Sequence, residues 1–206
     1  MKRGTLGCLF ELLETLLLTL IVFLVVQLFV AQPYQIQQQS MEDTLMPNQY
    51  VLVDKLTPRF DDYHRGDIVV FNPPASLGRA ASGAPFIKRV IGVAGDTVDI
   101  HGGHVSVNGS QLDEPYIYQG QATEPADPAR STWKIADGKL FVMGDHREES
   151  QDSRTFGPID TSSVIGRAWL RYWPLDAFGV LPSSSQSPEA TQPATPAPAA
   201  SPTGKP

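Results

Sequence analysis

The sequence predicts a mainly β, antiparallel domain standing behind a single N-terminal transmembrane helix. Three observations carry this expectation. One long apolar run lies near the start, short β-branched segments broken by Gly, Pro, Asp and Asn fill the middle, and the last stretch has no large apolar side chain. With 206 residues the chain has room for one ordinary core, and its net charge of −6 offers no basic surface to a phosphate backbone. Nucleic acid is therefore not an expected partner.

Residues 1–11 read as a cytoplasmic N-terminus and 12–31 as the membrane span. From Leu12 to Ala31, 16 of 20 residues are apolar, and no charge occurs between Glu14 and Glu42. Twenty helical residues rise about 30 Å, the thickness of the hydrocarbon layer. Lys2 and Arg3 precede the run, which places the N-terminus in the cytoplasm and everything after Ala31 outside. A cleavable signal peptide fits less well, because its apolar core is shorter and ends in small residues, whereas a cut after Ala31 puts Phe29 at the third position before the bond and Pro33 just beyond it. Cys8, the single cysteine, lies before the run, so the external domain has no internal disulfide and Cys8 reads as a buried or interfacial thiol.

Residues 32–181 form the expected external domain. Strand-like segments run over Tyr50–Val53, Asp67–Phe71, Phe86–Val93, Thr97–Ile100, Val105–Val107, Leu140–Met143 and Ala168–Trp173. His101-Gly102-Gly103-His104 and Asn108-Gly109 are predicted hairpin turns, since these residues tolerate positive φ. Ala75–Pro85, rich in Ala, Gly and Ser, reads as a mobile loop between strands. Residues 182–206 contain seven prolines and no Val, Ile, Leu, Phe, Trp, Tyr or Met, the composition of a disordered tail.

Three polar segments hold the candidate chemistry. The first is Gln38-Gln39-Ser40-Met41-Glu42-Asp43-Thr44-Leu45, shortly after the apolar run. The second is Phe86-Ile87-Lys88-Arg89-Val90 through Gly95-Asp96, which puts two cations inside an apolar strand. The third is Gly144-Asp145-His146-Arg147 through Ser150-Gln151-Asp152-Ser153-Arg154. Side chains alternate along a strand, so Phe86, Lys88 and Val90 share one face while Ile87, Arg89 and Ile91 share the other.

In this order behind an anchor, the three segments resemble the type I signal peptidases, membrane-bound serine proteases that remove signal peptides from exported precursors. Ser40-Met41 with Thr44-Leu45 matches that family's Ser-Met-x-Pro-Thr-Leu box, Lys88-Arg89 with Gly95-Asp96 its lysine box, and Gly144 to Arg154 its third box. The resemblance implies the signal-peptidase type of antiparallel β-sheet catalytic domain, with Ser40 as nucleophile and Lys88 as general base. It also implies oxyanion donors at the Ser40 backbone N–H and at Gln38, where the family often has serine, and a hydrogen bond from Ser150 that orients the lysine. Arg89, Asp145, Asp152 and Arg154 are expected as structural ion pairs. The expected partners are signal-peptide-bearing precursors and the lipid bilayer of the plasma membrane, with no cofactor and no metal.

Lys88 then faces a strict requirement. An amine with a pKa of about 10.4 is almost wholly charged at pH 7 and accepts no proton, so burial among apolar neighbours must lower it. Two departures from the family pattern stand beside the dyad: Asp43 in place of proline, bringing a charge that would raise the lysine pKa if close, and His146 in place of asparagine. A Ser-His-Asp triad through His146 is an alternative base. His101 and His104 bracket a turn and lack a third metal ligand. The rival function is an anchored external β-domain that binds a surface partner without catalysis. A self-cleaving Ser-Lys protease of the repressor type is set aside because such proteins carry no anchor.

Overall fold

The computed structural model describes residues 5–81 and 84–182. Lys2, Arg3 and the tail from residue 183 onward lie outside the described residues, as does the Cys8 side chain. Helix α1 spans Thr5–Val25 and gives way to a π-helical turn at Val26–Val30. Among the described residues no helix is long and apolar enough to cross a membrane; within α1 the described side chains run without a break only from Leu9. The α-helix ends at Val25, the π-helical turn carries the chain on to Val30, and there it enters the sheet. Lys55 N–H donates to Val30 O, and strand β1 already begins at Ala31.

Twelve strands follow among the described residues: β1 Ala31–Gln35, β2 Tyr50–Asp54, β3 Ile68–Phe71, β4 Phe86–Gly92, β5 Thr97–His101, β6 His104–Val107, β7 Ser110–Gln111, β8 Thr132–Lys134, β9 Lys139–Met143, β10 Ile159–Asp160, β11 Val164–Trp173 and β12 Gly179–Val180. They form two sheets. The larger runs β1-β2-β11-β3-β4-β9-β10, with β12 also on β11, and the smaller runs β7-β6-β5-β8. Every pairing is antiparallel.

All seven predicted strand segments are strands. Both predicted hairpins close as expected, because Gly102, Gly103, Asn108 and Gly109 all have positive φ and so match the twist of the flanking strands. The segment Ala75–Ala81, expected as a loop, is wound into 3-10 turns kinked at Gly78.

The larger sheet buries apolar side chains on both faces. One face gathers Val51, Val53, Ile68, Val70, Ile87 and Ala168; the other gathers Val69, Phe71, Phe86, Val90, Leu140 and Val142. A third cluster joins the smaller sheet to it through Trp133, Ile91 and Phe141. β4 therefore runs through the centre of the molecule with all seven residues buried, two of them cations.

Candidate active site

The turn between β1 and β2 is shaped by two apolar pegs. Met41 and Leu45, one helical turn apart and joined by a Leu45 N–H to Met41 O bond of 2.7 Å, are both fully buried in the first core cluster. Ser40 immediately precedes the first peg and is held in the wall of the domain, 3% exposed. Opposite it, Lys88 projects from β4 and is 1% exposed. A hydrogen bond of 2.6 Å joins Lys88 Nζ and Ser40 Oγ, and Nζ lies 5.3 Å from the centre of the Phe86 ring.

Burial lowers the Lys88 pKa from 10.5 to about 8. Asp152 and Asp145 draw it partly back and Arg154 pushes it down further. Asp43 is not among the charges acting on it, contrary to the concern raised by its sequence position. Its carboxylate points elsewhere and accepts from Gln119 N–H at 3.3 Å. Because the neutral amine is the form that accepts a proton, the rate is expected to climb as pH rises through about 8 and then level off. A pH–kcat/KM profile checks this, and an acidic optimum would point to a carboxylate base.

The third segment closes round the dyad from β9. Gly144 leaves no room for a side chain: a Cβ there would strike the Ser40 carbonyl oxygen and Ser150 Oγ. Asp152 is fully buried, accepts from Gly144 N–H at 3.1 Å and pairs with Arg154 at 2.9 Å, capping the short helix α2 (Ser153–Phe156). Arg89, on the strand face away from Lys88, grips Asp145 with two bonds of 2.9 and 2.6 Å and stacks 4.0 Å from the Tyr116 ring centre. Thr44 of the nucleophile turn donates to the same Asp145 carboxylate at 2.6 Å. One buried ion pair thus ties the turn to β4 and to the third segment. The four residues expected as ion-pair partners do pair, Arg89 with Asp145 and Arg154 with Asp152.

One expectation differs, and one alternative is not realised. Ser150 Oγ is buried and has no hydrogen-bond partner among the described residues, so the expected bond to Lys88 is not made; Nζ is directed to Ser40 instead. His146 does not approach Ser40 through its ring. Its backbone N–H donates to Ser40 O at 3.1 Å while ring Nδ1 faces Glu42 at 2.9 Å, which leaves Lys88 as the partner of the serine hydroxyl among the described residues. Gln38 is half-buried and borders a cleft of about 170 Å³ with Ile36, Val70, Pro85 and Ile87. Among the described residues no group of three His, Cys, Asp or Glu side chains is placed to hold a metal ion.

A serine and a desolvated lysine joined at hydrogen-bond distance need comparison with chains of known kind. The model of the family described as signal peptidase, peptidase S26, matches residues 9–173. The chain belongs to the signal peptidase S26 family. A probable signal peptidase I-2 of Synechocystis is 37% identical over 176 residues, covering 85% of this chain and 78% of its own. Signal peptidase I of Leptolyngbya laminosa is 37% identical, covering 84% of each chain, and signal peptidase IB of Staphylococcus aureus is 32% identical, covering 82% and 93%. A crystal structure of a signal peptidase I from Enterococcus faecalis aligns with a TM-score of 0.41 at 28% identity, over 52% of this chain and 97% of its own. Membership in this family makes the chain a serine peptidase by class, and the rival reading of a binding module without catalysis has no support.

Thr44, Glu42, Tyr116 and Tyr118 carry no role in the sequence reading, and each has a side-chain partner at the site that is far along the chain: Asp145, His146, Arg89 and His146. The one usable signal is Thr44, which stands in the quoted box yet is too polar to be a peg.

Proposed function

We propose that this chain is a membrane-anchored serine endopeptidase that removes signal peptides from exported precursors, with Ser40 as nucleophile and Lys88 as general base. The observation that carries the reading is the 2.6 Å contact between Lys88 Nζ and Ser40 Oγ, both buried, with the amine pKa lowered to about 8. The neutral amine takes the hydroxyl proton as Oγ attacks the scissile carbonyl. The tetrahedral oxyanion is met by the Ser40 backbone N–H and by the Gln38 amide. Lys88 then returns its proton to the leaving amine, and water, activated by the same amine, hydrolyses the acyl-enzyme. Ser150 accepts from the lysine ammonium once that charge forms; its buried hydroxyl, without a hydrogen-bond partner among the described residues, suits that role. No metal or cofactor enters any step.

The substrate lies in the cleft that Gln38 borders, added as an extended strand along the segment from Pro33 to Gln38. An added strand presents alternate side chains to the enzyme, so residues one and three before the cut are read by the apolar wall of Ile36, Val70 and Ile87. Helix α1 with the turn after it is the anchor, residues 12–31 the span and 32–181 the external domain. The exposure of Leu12 (65%), Leu16 (69%) and Phe23 (54%) on α1 suits a lipid surround.

The test is incubation of detergent-solubilised protein with a precursor carrying an Ala-x-Ala site. A shortened product is expected, and a precursor with Phe or Leu at either alanine is expected to be cut about 5- to 150-fold more slowly, since overfilling a small pocket costs about 1–3 kcal/mol. An intact precursor, or equal cutting of all variants, would overturn the reading.

A further inference from the structure

Where the matched family box has proline, this chain has Asp43, and its φ is 75°. A pyrrolidine ring fixes φ near −65°, so no proline fits position 43 in the turn as it stands. The stiffness a proline would lend the nucleophile turn must come from contacts instead. The other departure, His146, lies in those contacts. The Glu42 carboxylate accepts only, so His146 Nδ1 carries the proton it donates across 2.9 Å, and both side chains are nearly buried, 14% and 11% exposed. The imidazole stacks on the Tyr118 ring, centres 4.2 Å apart and planes 30° from parallel. The same turn of chain is tied twice more. Tyr118 N–H donates to Asp145 O at 3.0 Å, and Gln119 N–H donates to the Asp43 carboxylate. From the other side, His146 N–H holds the carbonyl of Ser40 itself.

We propose that Glu42 and His146, backed by Tyr118, form a clamp that positions Ser40 against Lys88. The clamp rests on the dyad assignment made above. Glu42 and His146 are positioning residues: neither touches Oγ or Nζ. Because the hydrogen bond needs only a proton on Nδ1 and an acceptor at position 42, the clamp holds with the ring neutral or charged, and a glutamine at 42 retains an acceptor oxygen.

Cleavage of a fixed Ala-x-Ala precursor by E42A, H146A, the double variant and E42Q tests this. E42A and H146A are each expected to lower kcat between about 10- and 100-fold, the cost of a nucleophile displaced by a fraction of an ångström, with KM within about twofold. The double variant is expected to be no worse than the poorer single, E42Q to recover most of what E42A loses, and the rise in rate through about pH 8 to stay in place in all of them. Losses that multiply in the double, losses confined to KM, unchanged kcat in E42A, or loss of the pH rise in H146A alone would each overturn the clamp. If H146A does not fold, the E42A and E42Q pair decides. K88A, run beside them, separates the two readings: full activity in K88A removes the dyad itself, whereas a dead K88A with a normal E42A removes only the clamp.

Discussion

Ser40→Ala and Lys88→Ala are each expected to reduce signal-peptide cleavage by roughly 10⁴-fold or more, and the double variant to be no worse than either, because nucleophile and base act as one proton-transfer unit. Lys88→Arg is expected to be equally inactive, since a guanidinium stays charged near pH 7 and cannot accept the proton. Lys88→Met separates catalysis from folding. The Lys88 amine titrates at about 8 in the folded protein and near 10.5 when exposed. At any pH below about 8 the folded state therefore bears the whole cost of a buried ammonium, on the order of 3 kcal/mol. That cost shrinks as pH rises from about 8 to 10.5 and is gone above it. Lys88→Met is thus expected to be inactive yet more stable at pH 7, by up to about 3 kcal/mol, and to lose the gain in stability between pH 8 and 10. Calorimetry across that range, set beside a cleavage assay, checks both halves. Destabilisation by Lys88→Met at pH 7 would mean that the lysine is not strained by burial.

The second large effect belongs to Arg89 and Asp145, whose side chains are each 1% exposed and 2.6 Å apart. Removing either alone leaves the other charge buried without a partner, which costs about 3–5 kcal/mol. Arg89→Ala and Asp145→Ala are each expected to lower Tm by roughly 10 °C in a domain of this size. Asp145→Ala also frees Thr44, and with it the turn that carries Ser40, so its rate loss is expected to exceed what its melting point alone accounts for. A paired replacement, Arg89→Met with Asp145→Leu, is expected to regain much of the stability without regaining the rate, because buried pairs gain little over well-packed apolar side chains. A single variant that melts with the parent protein would show that water reaches the pair.

The strands were legible where β-branched residues repeat, as in Ile68–Phe71 and Phe86–Gly92, and where Asn-Gly or Gly-Gly marks a turn. β1 was not, because Ala-Gln-Pro-Tyr-Gln has no such residue and becomes a strand only by pairing with β2. The four-residue α2 was hidden in a polar segment for the same reason: its start depends on the buried Asp152 cap, a tertiary fact. Lys88 is conspicuous as a cation inside an apolar strand, whereas Ser40, a lone serine in a polar segment, is picked out only by the resemblance of its segment to the family box. Their supports were not marked. Thr44 meets Asp145 across 101 residues and Glu42 meets His146 across 104, and nothing in local composition announces a pairing at that separation. The resemblance implies a hydrogen bond from Ser150 to the lysine that the resting geometry lacks, the amine being directed to Ser40.

The claim at the centre is that Lys88 is neutral enough near physiological pH to serve as a base. Its titration can be followed directly, by the ¹⁵N resonance of its side-chain nitrogen in the detergent-solubilised protein, assigned by its absence from Lys88→Met. A midpoint near 8 is expected, in step with the rise in cleavage rate. A midpoint near 10.5, with cleavage already at full rate by pH 7, would contradict the assignment of Lys88 as the base.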